Sequence, residues 1–296
     1  MMRIPRALLP VVALLVLPAP IPAQSKPGKV NTRSVFVKIV DITGKPTTGL
    51  TAADFEITEG GVKRTVIKAG PATSPMRIAV LADTSDGAAN ALNHLRAALA
   101  TFADAIAPQH ELMLVSTGRQ MRVRVQPTTD RKKFKDAATG LFSDGGATPL
   151  RDSLLEVDDR FMRKAEDRFP VFVIVTSDGT EGSTPASEQK FNDWAKMLPV
   201  RGVSAHAIVL KYRGGGTPEV YANHVALTTG GVYEYMNTSN ALTEKMKVIS
   251  DRLAQDFETV SQKYQVTFES ETTAGSVLVG IARDGVKVET TQGRLR

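Results

Sequence analysis

Ile78-Ala79-Val80-Leu81-Ala82, running straight into Asp83-Thr84-Ser85-Asp86-Gly87, is the stretch on which the fold turns. An unbroken apolar run of this length has no polar face, as a strand buried on both sides of a parallel sheet requires. A second such run, Val171-Phe172-Val173-Ile174-Val175, ends at Thr176-Ser177-Asp178-Gly179. Between the two, Gly145-Gly146-Ala147-Thr148-Pro149 leads into a helical pattern. In open α/β sheets the loops at the carboxyl ends of the strands converge on a crevice, so residues distant in the chain are predicted to meet there.

Strands and helices alternate outward from these runs. Leu92, Leu95, Leu99 and Phe102 mark one side of a helix over 88–106. Leu112–Ser116 reads as the second strand. Thr117-Gly118-Arg119 then turns the chain into Val123 and Val125, an antiparallel edge strand. Helices are predicted near 131–141, 149–163, 187–198 and 218–228, with further strands at 203–210 and 232–236. Leu242, Met246, Ile249, Leu253, Phe257 and Val260 are spaced three or four apart and predict a long amphipathic helix. The expectation is a doubly wound, mainly parallel six-stranded α/β sheet of order 3-2-1-4-5-6, built on right-handed crossovers. In that order the first and fourth strands are neighbours, and Asp83 and Asp178 flank the switch point.

The two ends of the chain read differently. Val35, Val37 and Ile39 alternate with other residues, as do Phe55 and Ile57, and Gly60-Gly61 is a hairpin signal before Val62 and Val66. Tyr264, Val266 and Phe268, then Val277, Val279 and Ile281, repeat the alternation, and Asp284-Gly285 turns the chain into Val286-Lys287-Val288. Each β segment is too small to bury a core alone. Residues 30–70 and 263–292 are therefore expected to pair into one discontinuous, sandwich-like β-rich unit, with the α/β domain at 76–261 inserted into it.

Arg3 and Arg6 ahead of the apolar stretch Ala7 to Leu17, with Ile21-Pro22-Ala23 before Gln24, predict a signal peptide over 1–23. A polar, flexible leader is expected over 24–34. Export implies a secreted or periplasmic protein with no stable membrane span after cleavage. With no cysteine in the chain, stability has to come from the core rather than from disulfides. The chain has 37 basic and 31 acidic residues, so losing Arg3 and Arg6 leaves a mild +4. Arg131, Lys132, Lys133 and Lys135 cluster with few aromatics interleaved, a solvated helix face rather than a nucleic-acid patch.

Two carboxylates, Asp83 and Asp178, and two hydroxyls, Ser85 and Thr148, gathered in one crevice form a hard oxygen site suited to Mg²⁺, Mn²⁺ or Ca²⁺. Asp86, Gly87 and Gly146 are the supporting candidates. Alternatively, Asp83 and Asp178 cap helices and satisfy loop amides. His94, His110, His206 and His224 lack metal-ligand spacing, and there is no phosphate loop or Gly-x-Ser-x-Gly elbow. Gly214-Gly215-Gly216 reads as a mobile loop. A Mg²⁺-dependent phosphatase would want a second aspartate where Ser85 stands, and a hydroxyl is a poor general acid near neutral pH.

Asp83-x-Ser85, the distant Thr148 and the distant Asp178 resemble the metal-ion-dependent adhesion site of von Willebrand factor type A domains. Gly87 stands where that motif has a second serine, which makes the site degenerate. Gly146-Ala147-Thr148-Pro149-Leu150 with Asp152 is similar to the family's threonine loop. Gly49-Leu50-Thr51-Ala52-Ala53-Asp54-Phe55-Glu56-Ile57-Thr58-Glu59-Gly60-Gly61 resembles the segment before the A domain in a secreted bacterial family, the acidobacterial-type von Willebrand factor A-related proteins. The resemblance implies a non-enzymatic, adhesion-type interaction module. In such a module the cation, held by Asp83, Ser85, Thr148 and Asp178, takes an Asp or Glu side chain from a protein partner, and Thr148 joins or leaves the cation as its loop moves. The alternative on the same scaffold is a structural envelope protein that uses no metal.

Overall fold

The computed structural model describes residues 31–165, 167–199, 201–271 and 276–289. The predicted signal peptide at 1–23, residues 24–30 of the leader and residues 30, 272–275 and 290–292 of the β unit lie outside them.

Four strands come first: β1 (Thr32–Asp41), β2 (Phe55–Glu59), β3 (Val62–Arg64) and β4 (Val66–Pro71). The alternating region begins with β5 (Met76–Ala82), α1 (Leu92–Ala105), β6 (Glu111–Thr117), β7 (Met121–Thr128) and α2 (Arg131–Thr139). It continues through α3 (Leu150–Val157), β8 (Phe169–Ser177), α4 (Ser187–Met197) and β9 (Ser204–Leu210). It ends with α5 (Thr217–Thr228), β10 (Tyr233–Met236) and α6 (Leu242–Ser261). The last strands are β11 (Tyr264–Glu269), β12 (Val277–Ile281) and β13 (Val286–Glu289).

The central sheet has six strands in the order β10-β9-β8-β5-β6-β7, the predicted arrangement, with β7 antiparallel at the edge. On β5 the side chains alternate between two cores. Ile78 and Val80 join Leu95, Phe102, Leu114, Val173 and Ile249 on the face covered by α1, α2 and α6. Ala79 and Leu81 join Phe172, Ile174, Leu154, Trp194 and Tyr221 on the face covered by α3, α4 and α5. Burial on both faces explains why β5 and β8 read as unbroken apolar runs. Each fully buried large aliphatic or aromatic side chain contributes about 2 kcal/mol by area removed from water.

The chain ends form two antiparallel sheets, β13-β1-β11-β4 and β12-β2-β3. Ile39, Leu50, Phe55, Ile57, Tyr264, Val266 and Phe268 fill the core they share. Residues 32–34, expected to belong to the flexible leader, are strand instead: β1 starts at Thr32, ahead of the predicted Val35, because Thr32 to Ser34 pair with Thr267 to Glu269. Glu59 faces this unit from a fully buried position, where Arg33 at 2.6 Å and the Ser270 hydroxyl at 2.7 Å donate to it. Gly60 and Gly61 adopt φ of 57° and 83°, and the Glu59–Val62 pair closes a two-residue hairpin that needs both in the left-handed region.

The helix predicted over 149–163 stops being α at Val157 and widens into a π turn over Asp158–Met162. Asp158, the first residue of that turn, carries a fully buried carboxylate. Asp158 accepts from Trp194 Nε1 at 2.9 Å, from both terminal nitrogens of Arg201 at 2.7 and 2.8 Å, and from Arg163 at 2.7 Å. Substituting Asp158→Ala strands these donors and is expected to cost about 3 kcal/mol in urea unfolding.

Two buried histidines also brace the sheet by accepting backbone N–H groups at Nδ1: His110 from Met76 at 2.9 Å, His206 from Val232 at 3.1 Å. Burial pushes both down from 6.5 to about 4; Arg131 adds to this at His110, while at His206 Arg252 lowers it and Asp256 opposes. Between those values the unfolded chain binds more protons than the folded one. The stability is thus fully present above about pH 6.5 and declines as pH falls toward 4. The loss is expected to be on the order of 2–3 kcal/mol per histidine. Thermal unfolding from pH 7.5 to 4.5 checks this, and His110→Asn and His206→Asn should each flatten the slope.

Candidate functional site

Each candidate residue sits at the carboxyl-terminal pole of the central sheet or on a loop tied to it. β5 and β8 are adjacent and parallel, with Ala82 opposite Val175. The ladder runs one step further, as the Asp83 amide donates to the Val175 carbonyl at 2.8 Å. Asp83 therefore leaves the sheet beside Thr176 and Ser177 and is fully buried. Its Oδ1 accepts from the Ser85 amide at 2.8 Å. Its Oδ2 accepts from the Ser177 amide at 2.9 Å and the Ser177 hydroxyl at 2.7 Å. All these donors are neutral. Burial consequently raises the Asp83 carboxyl above the usual carboxylate range, against the hydrogen bonds of Ser85 and Ser177.

The threonine loop is stitched to the Asp83 loop and to the loop after β8. Asp86 bonds Gly146 in both directions: its amide donates to the Gly146 carbonyl at 3.2 Å, and its Oδ2 accepts from the Gly146 amide at 3.0 Å. Gly145 and Gly146, at φ of 67° and 69°, are left-handed, which only glycine adopts without strain. The Asp144 amide donates to the Thr84 carbonyl at 2.8 Å, while Asp144 Oδ2 accepts from the Thr84 hydroxyl at 2.9 Å and from Arg124 at 3.0 Å. On the other side the Thr148 amide reaches the Thr180 carbonyl at 2.9 Å, and Gly182 donates to the Thr148 carbonyl at 2.8 Å. Thr148 is thus fixed and fully buried, yet its hydroxyl oxygen has no hydrogen-bond partner. Nearby Glu181 is raised by burial, and its Oε2 is likewise buried without a partner.

Asp178 is drawn the other way. Its Oδ1 accepts from the amides of Tyr212 at 2.6 Å and Arg213 at 2.9 Å, and its Oδ2 from the Tyr235 hydroxyl at 2.6 Å. Burial by itself would raise the carboxyl, but these donors and the Gly214 amide outweigh it and hold Asp178 below the usual range. The same hydrogen bond, with burial, pushes Tyr235 up to about 12. The Gly214–Gly216 run read as a mobile loop is anchored by Asp178 at its start. At its end, a Cβ on Gly216 would lie 2.1 Å from the Asp178 carbonyl oxygen.

Asp83 and Ser85 thus stand on the loop after β5, and Thr148 on a loop tied to it through Asp86 and Gly146, while the Asp178 carboxylate serves the neighbouring loop. Sequence reasoning passed over Ser177, although it stands in the same run as Asp178, at the end of a predicted strand. Tyr235 carried no signal at all, because its role depends on β9 lying between it and β8. Among the described residues no group of three or more His, Cys, Asp and Glu side chains could hold a metal ion. What the crevice offers a small hard cation is one carboxylate with hydroxyls, and the orphaned Thr148 oxygen and the all-neutral surroundings of Asp83 fit such a guest.

The comparisons with known proteins agree with this architecture. Residues 78–181 match the family model described as von Willebrand factor type A domain. None of the curated proteins matches the chain. The von Willebrand factor type A protein from Catenulispora acidiphila superposes with a TM-score of 0.52 at 12% identity, covering 89% of this chain and 73% of that one. The corresponding domain of the type V pili tip protein Mfa5 from Porphyromonas gingivalis gives 0.51 at 12% identity, covering 62% of this chain and 97% of that one. At such identities the structural likeness speaks for the fold alone. Domains of this family typically mediate protein–protein interaction and adhesion. With the sheet order and the matched segment in agreement, residues 78–181 lie within a von Willebrand factor type A domain.

Proposed function

We propose that this chain is an exported, non-enzymatic interaction module that binds an acidic group of a protein partner through a divalent cation in the Asp83 crevice. The observation that carries the reading is the Thr148 hydroxyl, buried, held rigidly and without a partner. An unpaired buried hydroxyl costs about 1–3 kcal/mol, a cost that a ligand drawing on the oxygen would offset. Asp83, Ser85 and Thr148 are the proposed holders, with Asp178 left to its loop because both of its oxygens are engaged. When bound, Mg²⁺ or Mn²⁺ supplies a positive centre that a partner's Asp or Glu carboxylate can complete. Asp83 contributes the charge, Ser85 and Thr148 contribute neutral oxygens, and the clamp of Asp86 on Gly146 fixes the distance between the two loops.

Export rests on the amino-terminal pattern of Arg3, Arg6 and the apolar run that follows. Among the described residues no helix is long and apolar enough to cross a membrane. We further propose that the β-rich unit of 30–70 and 263–292 is a domain into which 76–261 is inserted, since its strands share one core. A non-enzymatic role is favoured by Ser85, which occupies the place where phosphoester chemistry would need a second carboxylic acid. The engaged Asp178 carboxylate favours the competing reading, a structural envelope protein that uses no metal.

Two substitutions separate the readings. Mn²⁺ or Mg²⁺ at millimolar concentration is expected to raise the unfolding midpoint of the full chain, and Asp83→Ala to abolish that rise. Thr148→Val removes the orphaned hydroxyl, so it should leave the chelator-treated protein as stable as wild type or about 1 kcal/mol more stable, while cutting the metal-induced shift. A wild-type midpoint indifferent to either cation would leave only the metal-free scaffold.

A further inference from the structure

We infer that Ser177, the last residue of β8, supplies to Asp83 the hydroxyl that position 87 lacks. A Cβ built on Gly87 would stand 2.2 Å from Ser177 Oγ and 3.0 Å from Ser177 Cβ. Gly87 is not among the glycines with positive φ, so its backbone does not demand glycine. What excludes a side chain at 87 is the Ser177 hydroxyl already standing there. Gly179 borders the same group, with a Cβ position 3.1 Å from Ser177 Oγ. Two glycines from different loops therefore leave room for one hydroxyl.

That hydroxyl has a defined task. Ser177 is fully buried, and both its amide and its Oγ donate to Asp83 Oδ2, at 2.9 and 2.7 Å. A serine hydroxyl has one proton and two lone pairs. Giving the proton to Asp83 orients the carboxylate and leaves the lone pairs free. In a cation-loaded crevice Ser177 is then the third hydroxyl oxygen beside Ser85 and Thr148, delivered from the adjacent strand instead of from the loop after β5. The ligand half of this inference rests on the cation reading above; the exchange of the hydroxyl between positions 87 and 177 rests on packing alone.

The full chain and three variants test it: Gly87→Ser, Ser177→Gly and the double exchange. With EDTA present, Gly87→Ser should lower the unfolding midpoint by roughly 5 °C through overpacking. Ser177→Gly should lower it by removing the hydroxyl bond to Asp83 Oδ2, which keeps only the amide bond from residue 177. The double variant should melt above Gly87→Ser, because the new serine then occupies the vacated space. In calorimetric titration with Mn²⁺, affinity is expected to fall about tenfold in Ser177→Gly and to recover in the double variant. A double variant no more stable than Gly87→Ser overturns the exchange. Unchanged Mn²⁺ affinity in Ser177→Gly overturns the ligand role. A wild-type chain that takes up no Mn²⁺ while the exchange still rescues stability removes the cation reading and the ligand role with it, and the hydroxyl exchange stands.

Discussion

A carboxylate driven completely into the protein is the constraint around which the crevice is organised. Desolvating a charged carboxylate costs several kcal/mol unless donors replace the lost water. Asp83 meets that cost with amides and a hydroxyl drawn from two places, its own loop through Ser85 and the end of β8 through Ser177. Those donors are in reach only because β5 and β8 are hydrogen-bonded neighbours whose ends coincide. The parallel sheet thus does more than carry the site: its register decides which amides Asp83 can use. Glycine at 87 follows from the same register, since it faces the Ser177 hydroxyl.

The second aspartate shows how one loop's needs can redirect a residue with a suitable sequence context. Asp178 lies one residue beyond β8, and its amide bonds the Leu210 carbonyl at the end of β9. From there its carboxylate meets the exposed amides that begin the 211–216 connection and the Tyr235 hydroxyl on β10. Charge-assisted hydrogen bonds of this kind are about twice as strong as neutral ones, so three of them outweigh a single water-exposed alternative. The result divides the labour across the pole: Asp83 binds the end of β8 to its own loop through Ser177 and Ser85, and Asp178 ties β8, β9 and β10 together.

Outside the crevice, buried charge is handled by pairing. Asp158 sits among Trp194, Arg163 and Arg201, and Glu59 among Arg33, Arg64 and Ser270. Each of these acids has a guanidinium against it. Asp83 contrasts with both, because the groups that hold it carry no charge. That contrast, together with the orphaned Thr148 oxygen, is the physical basis for placing a cation there and not at Asp158 or Glu59.

Much of this was legible in the residues alone. The apolar runs at 78–82 and 171–175 demanded burial on both faces, and burial with intervening helices leaves little choice but a parallel, doubly wound sheet. Terminal Asp and Thr residues on such strands and loops then had to gather at one pole, and the alternation at 35–39, 55–57, 264–268 and 277–281 showed β structure at both ends of the chain. Periodicity reports which face of an element is apolar, and that is local information. Where the Asp178 oxygens point, why residue 87 is glycine and how the buried Asp158 carboxylate is paired depend on Tyr235, Ser177, Trp194 and Arg201, partners from other strands and helices. Directions of side chains and the occupancy of a few cubic ångströms are set by three-dimensional packing, so only the folded molecule could decide them.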